Sequence, residues 1–109
     1  MAKSYVRGRG DIVWLQFDPQ AGHRPAFVVS PRAYNRKVGL ALFCPVTSRV
    51  KGYPFEVPLS RSGKARGAVL TDQLKSLDWR AGKADRFDHV SEEIIREVTA
   101  RILALVDPQ

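Results

Sequence analysis

The sequence has a single cysteine, Cys44, and only two histidines, His23 and His89. One cysteine excludes an intramolecular disulfide, and no cysteine cluster exists that could bind zinc. Because the two histidines share no motif, we expect neither a metal site nor a cofactor. No apolar run approaches the length of a membrane span, and the first residues contain no apolar signal segment. We therefore expect no membrane contact and a cytoplasmic location.

Negative charge is also scarce. The chain has 18 lysines and arginines against 11 aspartates and glutamates, which gives a net charge of +7 and a pI near 10.1. Such a balance favours an anionic partner: a nucleic acid first, an acidic protein second and a membrane surface third. With 109 residues, of which 44% are apolar, the chain is expected to form a single domain (residues 1–109) with one core.

The most informative stretch lies between two apolar segments and contains Gly22, His23, Arg24 and Pro25. The preceding Asp18-Pro19 opens a turn, since proline restricts the residue before it. Glycine allows close approach of the backbone to a ligand, and Pro25 stiffens the exit. We predict an exposed, stiff turn that holds a guanidinium and an imidazole in place. An ordinary solvated turn remains the alternative at this stage.

Short apolar segments separated by glycine and proline turns predict a mainly β fold, a small twisted antiparallel barrel. Trp14 is expected in the core or at a subunit interface, and Cys44 as a small buried hydrophobe. A basic, flexible arm is expected over residues 1–10. The predicted strands are Asp11–Phe17, Phe27–Ser30, Leu40–Val46, Phe55–Leu59 (half-exposed), one that begins at Ala68–Leu70 and continues to Ser76, and a shorter one carrying Arg80, Lys83 and Arg86.

Two helices are predicted. Ser30-Pro31 is typical of a helix start, here of a short turn through Tyr34 that closes at Asn35. Ser91 is expected to cap a longer final helix that ends before Asp107-Pro108. An apolar stripe at helical spacing gives this helix a packing face, formed by Ile94, Val98, Ile102 and Leu105.

Short motifs occur along nearly the whole chain. They are Gly10-Asp11-Ile12-Val13-Trp14, Asp18-Pro19, Gly22-His23-Arg24-Pro25, Val29-Ser30-Pro31, Tyr34-Asn35, Pro45-Val46-Thr47-Ser48, Lys51-Gly52-Tyr53-Pro54-Phe55 and Asp72-Gln73-Leu74-Lys75-Ser76. No single motif is decisive, but their order and spacing together are specific, and they resemble those of the MazF/PemK toxins.

The resemblance implies an SH3-like antiparallel barrel of the PemK/CcdB type with a C-terminal helix, acting as a homodimer. It also implies a metal-independent, sequence-specific endoribonuclease that cuts single-stranded RNA and inhibits translation. The implied partner is an acidic antitoxin of the MazE type. One departure concerns the loop after Asp18-Pro19: family members usually have a longer loop with a glutamate, whereas Gln20 follows Pro19 directly here.

The resemblance also suggests roles for individual residues. Arg24 is expected to grip the scissile phosphate, since a guanidinium matches phosphate oxygens, and the hydroxyl of Thr47 to assist there. From its residue type alone, His23 is a candidate base or acid, since imidazoles exchange protons near neutral pH. Asp72 matches an acidic position used in some PemK-type members. The alternative for His23 is a loop histidine that is hydrogen-bonded to a carbonyl. The alternatives for Asp72 are to orient Arg24 or to cap a turn.

The remaining candidates concern RNA binding. Ser48 lies beside Thr47 and could equally cap a strand end, and Gln73 could read a base edge. Arg49, Lys51, Lys75 and Arg80 are expected to contact phosphates, or else to be solvated surface charges. Two other functions compete with the nuclease: a non-enzymatic, CcdB-like gyrase inhibitor, and an RNA-binding barrel inactivated by the shortened loop.

Overall fold

The computed structural model describes residues 8–18 and 22–108. Most of the predicted N-terminal arm and the centre of the shortened loop, Pro19–Ala21, lie outside the described residues. The elements are β1 (Asp11–Asp18), β2 (Gly22–Val28), α1 (Arg32–Val38), β3 (Leu40–Thr47), β4 (Glu56–Pro58), β5 (Ala68–Leu70), β6 (Lys75–Asp78), β7 (Asp85–His89) and α2 (Glu92–Val106).

The seven strands form one antiparallel sheet in the order β4-β5-β3-β2-β1-β7. Strand β6 lies off this path and pairs with the first half of β3, while β5 pairs with its last residues. The mainly β, antiparallel architecture with a C-terminal helix is therefore confirmed. Within the described residues no ladder joins β4 to β7, so strand pairing does not close the predicted barrel.

Both faces of the sheet are buried, as successive residues of β1 show. Ile12 packs in one cluster, whereas Val13 and Leu15 pack in another. Side chains alternate between the faces of a strand, so a run that is apolar throughout needs cover on both sides. Helix α2 contributes Val98 to the first cluster, and Trp79 belongs to the second. Cys44 is buried in the first cluster, as predicted.

The final helix confirms its predicted start and most of its packing face. The Ser91 hydroxyl accepts a hydrogen bond from the Ile94 N–H at 3.3 Å. Val98 is fully buried, and Ile94 and Ile102 pack beside it. Leu105 is 49% exposed, so its predicted place in the packing face is wrong. The last turn of α2 extends beyond the core, with its apolar side chains in solvent.

Helix α1 differs from its prediction at both ends. It runs to Val38 and ends at Gly39, whose φ of 82° is left-handed, instead of closing at Asn35. Pro31 occupies the N-cap position and makes no side-chain cap. The Ser30 hydroxyl instead donates to the buried amide of Asn35 and accepts from the Leu42 N–H. Ser30 thus ties α1 to β3, which a local capping pattern could not indicate.

Two further corrections concern strands. Lys75–Asp78 is a separate strand because β3 offers it a partner, with Phe43 paired to Lys75 and Leu40 to Asp78. The predicted strand with Arg80 and Lys83 begins only at Asp85, and Lys83 has a left-handed φ of 55° in the preceding turn.

Trp14 is 41% exposed and stacks on Phe87 with ring centroids 4.6 Å apart, so it does not lie in the core.

Candidate nucleic-acid interface

Gly22, His23, Arg24 and Pro25 lie in a strand, not in the predicted turn. They form the first half of β2 and pair with β1, with Leu15 opposite Arg24 and Gln16 opposite His23. This half of β2 is largely exposed, in contrast to the buried second half. The ladder with β1 holds the Arg24 backbone in place, so the predicted stiffness comes from strand pairing.

On its other side β2 separates from β3. The last pair between them is Ala26 with Pro45, and extending the register by two residues would bring Arg24 opposite Thr47. Proline lacks the N–H group that a ladder bond requires, so prolines 25 and 45 favour the end of pairing here. The two strands therefore diverge where the chemistry-bearing side chains begin.

A groove of about 700 Å³ opens at this divergence, and we call it the polar groove. Four of its lining residues are cations, Arg24, Arg49, Arg66 and Lys75, and none of its described lining residues is acidic. Like charges gathered on one concave surface attract an anionic ligand. The full lining is Arg24, Pro25, Pro45, Val46, Thr47, Ser48, Arg49, Arg66, Leu70, Gln73 and Lys75.

The groove thus brings together six of the ten predicted site residues, from the ends of β2 and β3 and from the segment that leads into β6: Arg24, Thr47, Ser48, Arg49, Gln73 and Lys75. It also includes Arg66, which the sequence analysis placed only in a basic turn. The Arg66 guanidinium donates to the carbonyl oxygens of Arg61 and Gly63, which holds it over that turn. In the sequence, the glycine that follows Arg66, Gly67, was the feature that could have indicated close packing of this turn against another segment.

Thr47 ends β3 with both its hydroxyl and its carbonyl in defined positions. Its Oγ1 accepts a hydrogen bond from the Arg49 N–H at 3.0 Å, a local turn motif that leaves the hydroxyl proton available to donate. Its backbone pairs with Ala68 of β5. Strand pairing therefore fixes the backbone of Thr47, and the hydrogen bond from Arg49 orients its hydroxyl.

A second depression, which we call the side cleft, continues from the polar groove. The two share Thr47, Arg49, Leu70 and Gln73, so they form one continuous concave surface. The side cleft has a volume of about 340 Å³, and it adds Lys51, Tyr53, Glu56 and Asp72 to the shared residues. Lys51 and Asp72, both predicted site residues, thus lie next to the polar groove but not in its lining.

Asp72 accepts a hydrogen bond from the Tyr53 hydroxyl at 2.8 Å. This bond, together with the negative charge of Asp72, raises the pKa of Tyr53 above its ordinary value, so the hydroxyl stays protonated at neutral pH. Of the alternatives weighed for Asp72, orientation of Arg24 therefore has no support among the described contacts, which pair its carboxylate with Tyr53.

The loop that forms the far wall of the side cleft is organised by Glu56. Its carboxylate accepts hydrogen bonds from the backbone N–H groups of Lys51, Gly52 and Tyr53 at 3.0–3.3 Å. Glu56 is only 8% exposed, although the sequence predicted a half-exposed strand here. The three N–H donors explain why a carboxylate is tolerated in this position.

The other two predicted site residues line neither depression. Arg80 lies over the ring of Trp79, with the guanidinium carbon 5.0 Å from the ring centroid, in the turn between β6 and β7. His23 is exposed and adjoins Arg24 in β2.

Among residues 8–18 and 22–108, no three histidine, cysteine or acidic side chains come close enough together to bind a metal ion. No described helix is long and apolar enough to span a membrane.

Comparison with known proteins places this geometry in a family. The model of PemK-like, MazF-like toxins of type II toxin–antitoxin systems matches residues 8–106. The chain is 46% identical to the endoribonuclease toxin MazF of Escherichia coli K12, over 97% of this chain and 99% of the relative. It is 36% identical to the E. coli endoribonuclease toxin ChpB, over 98% of this chain and the whole of the relative.

The fold gives the same result. A MazE–MazF crystal structure from Deinococcus radiodurans matches with a TM-score of 0.90 at 43% identity, covering 97% of this chain and 100% of the other. A MazF-mt6 toxin structure from Mycobacterium tuberculosis, at 16% identity and a TM-score of 0.74, shares the fold. The chain therefore belongs to the family of PemK-like, MazF-like toxins of type II toxin–antitoxin systems.

Proposed function

We propose that this toxin is a metal-independent endoribonuclease that cuts single-stranded RNA held along the polar groove, and so inhibits translation. The observation that carries the proposal is the gathering of Arg24, Thr47 and three further cations around one concave surface. A groove with four positive charges suits a phosphodiester backbone. Relatives at 46% and 36% identity are named endoribonuclease toxins, which supports the same activity for this chain.

The proposed reaction uses the ribose 2′-hydroxyl of the RNA as the nucleophile. Its oxygen forms a bond to the adjacent phosphorus while the bond from phosphorus to the 5′-oxygen breaks. The 2′-hydroxyl loses its proton to a base, and the leaving 5′-oxygen gains one. The products are a 2′,3′-cyclic phosphate and a 5′-hydroxyl end, with no water consumed.

Arg24 is proposed to bind the non-bridging phosphate oxygens, whose negative charge grows in the transition state. A guanidinium offers two parallel N–H donors to them and stays charged at all working pH values. The Thr47 hydroxyl is proposed to donate a further hydrogen bond, since its oxygen already accepts from Arg49 and its proton is available. Loss of one such preorganised donor typically costs about 10²–10³ in rate.

For the proton transfers we propose His23, because an imidazole both accepts and donates protons near neutral pH. His23 adjoins Arg24 in β2 but lines neither depression, so this proposal rests on the chemistry of imidazole alone. Asp72 was the other candidate, but its carboxylate already accepts a hydrogen bond from the Tyr53 hydroxyl and lies in the side cleft.

The partner proposed from the family is a MazE-like acidic antitoxin, and a matching D. radiodurans structure contains MazE with MazF. The net charge of +7 suits an acidic inhibitor as well as RNA. We further propose that the toxin acts as a homodimer in the cytoplasm. An acidic segment that occupies the polar groove would compete directly with RNA for the same four cations.

Incubation of the purified protein with single-stranded RNA in EDTA tests the proposal. We expect cleavage with cyclic phosphate and 5′-hydroxyl ends, and a rate loss of about 10²–10³ in Arg24→Gln. Arg80→Gln is the matched control, since Arg80 lines neither depression, and it should cleave like the wild type. Intact RNA with the wild type, accompanied by gyrase inhibition or by binding alone, would instead select one of the competing functions.

A further inference from the structure

The side cleft differs in charge from the polar groove that it continues. The polar groove has four cations and no acid among its described lining, whereas the side cleft includes the carboxylates of Glu56 and Asp72. A carboxylate repels a phosphate, so the RNA backbone is expected to follow the polar groove. When one phosphate lies at Arg24, the base of an adjacent nucleotide would then be free to enter the side cleft.

Tyr53 gives the side cleft an aromatic surface of fixed orientation. Its backbone N–H donates to Glu56 at 3.3 Å, and its hydroxyl donates to Asp72 at 2.8 Å. The ring also contacts Phe55, with centroids 6.0 Å apart and planes tilted by 54°. Although it is held at three points, Tyr53 is still 47% exposed. An exposed ring that needs no rearrangement is the surface on which proteins stack single-stranded bases.

Asp72 adds a hydrogen-bond acceptor beside this ring. Its Oδ2 accepts a hydrogen bond from Tyr53, and a carboxylate that lines the cleft has further lone pairs on both oxygens. Adenine, cytosine and guanine each carry an exocyclic amino group that donates to a carboxylate, as cytosine does to Asp and Glu in duplex recognition. Uracil has no amino group: its one donor on the pairing edge, N3–H, lies between two carbonyl oxygens that a carboxylate repels.

We infer that the side cleft is a subsite for a single nucleobase with an exocyclic amino group, in which Tyr53 stacks on the base and Asp72 accepts a hydrogen bond from the amino group. The inference rests on the proposed function and deepens it, since it assigns a specificity role that the phosphate contacts cannot supply. Arg49, which lines both depressions, would bind a phosphate that flanks this nucleotide.

The test measures binding of short oligoribonucleotides that differ only in one base, varied among all four at each position in turn. For the wild type we expect uracil to be rejected at one position, by about tenfold or more. Asp72→Asn should abolish this rejection, because an amide presents both a donor and an acceptor to any base. Tyr53→Ala should weaken binding by roughly 5- to 100-fold, whereas Tyr53→Phe, which keeps the ring, should change it less than threefold.

Tyr34→Ala is the control for the loss of an exposed aromatic, since Tyr34 on α1 lines neither depression, and it should bind like the wild type. Unchanged base preference in Asp72→Asn at every position would overturn the inference, as would equal binding by Tyr53→Ala and the wild type. A fall in kcat of Asp72→Asn without a change of base preference would also overturn it, in favour of proton transfer by Asp72. Because binding is measured, these outcomes stand even if the protein does not cleave RNA.

Discussion

Gly67 lies directly against the main chain of Thr47. A Cβ atom built on Gly67 would be 2.0 Å from the Thr47 carbonyl oxygen, and its φ of 101° is in the left-handed region. Side chains do not tolerate a backbone contact this short. The glycine that closes the basic turn therefore allows β5 to pack against the end of β3, where the proposed catalytic hydroxyl is located.

Gly67→Ala is thus expected to displace Thr47 and to lower both stability and cleavage. Gly52→Ala provides a matched control, since Gly52 also has a positive φ of 77° but nothing within 4 Å of its added Cβ. The left-handed conformation alone costs alanine roughly 1–2 kcal/mol, or about 5–15 °C in Tm for a domain of this size. Thermal unfolding should show a clearly larger loss in Gly67→Ala. Equal Tm values would contradict the contact with Thr47.

Glu56 is expected to keep the loop of Lys51–Tyr53 in its present shape. Glu56→Ala removes the acceptor from three backbone N–H groups, and each unsatisfied group of this kind costs about 1–3 kcal/mol when it is shielded from water. Glu56→Gln keeps one acceptor oxygen and should lose less stability. In cleavage assays both variants should raise KM with little change in kcat, because the loop lines the proposed base subsite and not the polar groove where the bond breaks. A loss confined to kcat would place Glu56 in the chemistry instead.

The salt dependence of RNA binding should separate cations of the groove from those elsewhere. Arg49→Ala is expected to weaken binding and to reduce the slope of log K against log salt by about 0.7, the value for one phosphate contact on a single strand. Arg80→Ala removes another exposed arginine, one that rests on Trp79, and it should leave the slope unchanged. Fluorescence anisotropy over a salt series measures both. A reduced slope in Arg80→Ala would mean that RNA extends over the β6–β7 turn.

The pH profile of kcat tests His23. If its imidazole transfers the proton, His23→Gln should lower kcat by about 10²–10⁴ and remove one limb of the profile. KM should change little, since the phosphate contacts remain. A profile that keeps every limb in this variant would exclude His23 from proton transfer.

Cys44 should be unreactive in the folded protein. Burial, with a smaller contribution from the charge of Asp72, raises the pKa of its thiol to about 12. The reactive thiolate is therefore almost absent from the native state at pH 8, and Ellman's reagent should label the thiol only after denaturation. Since the unfolded thiol ionises at lower pH than the folded one, this group should also reduce stability as the pH rises toward 12. Rapid labelling of native protein would show that the core opens near β3.

The sequence was most informative where local pattern and tertiary environment agree. The apolar runs of β1 and β3 predicted strands, and the cap and stripe of α2 predicted its start and most of its packing face. It was least informative where a distant partner decides the outcome. Lys75–Asp78 is largely polar, and it forms a strand only because the first half of β3 offers it an edge with which to pair.

The candidate site shows the same division. Arg24, Thr47 and Gln73 could be singled out by their motifs, and they line one groove. Arg66 could not, because its place depends on the contact between Gly67 and Thr47, two segments far apart in the chain. The pairing of Tyr53 with Asp72 was equally hidden, since only the fold brings the two side chains within a hydrogen bond.

The contrasting surroundings of the two tryptophans provide an internal optical probe. Trp14 is 41% exposed beside Phe87, whereas Trp79 is 3% exposed and its indole N–H donates to the Asn35 carbonyl at 2.9 Å. A soluble quencher such as iodide would reach the first indole and not the second. The emission of the native protein would consequently separate into two fractions, and the protected fraction would disappear only when the contact between α1 and the segment after β6 is lost.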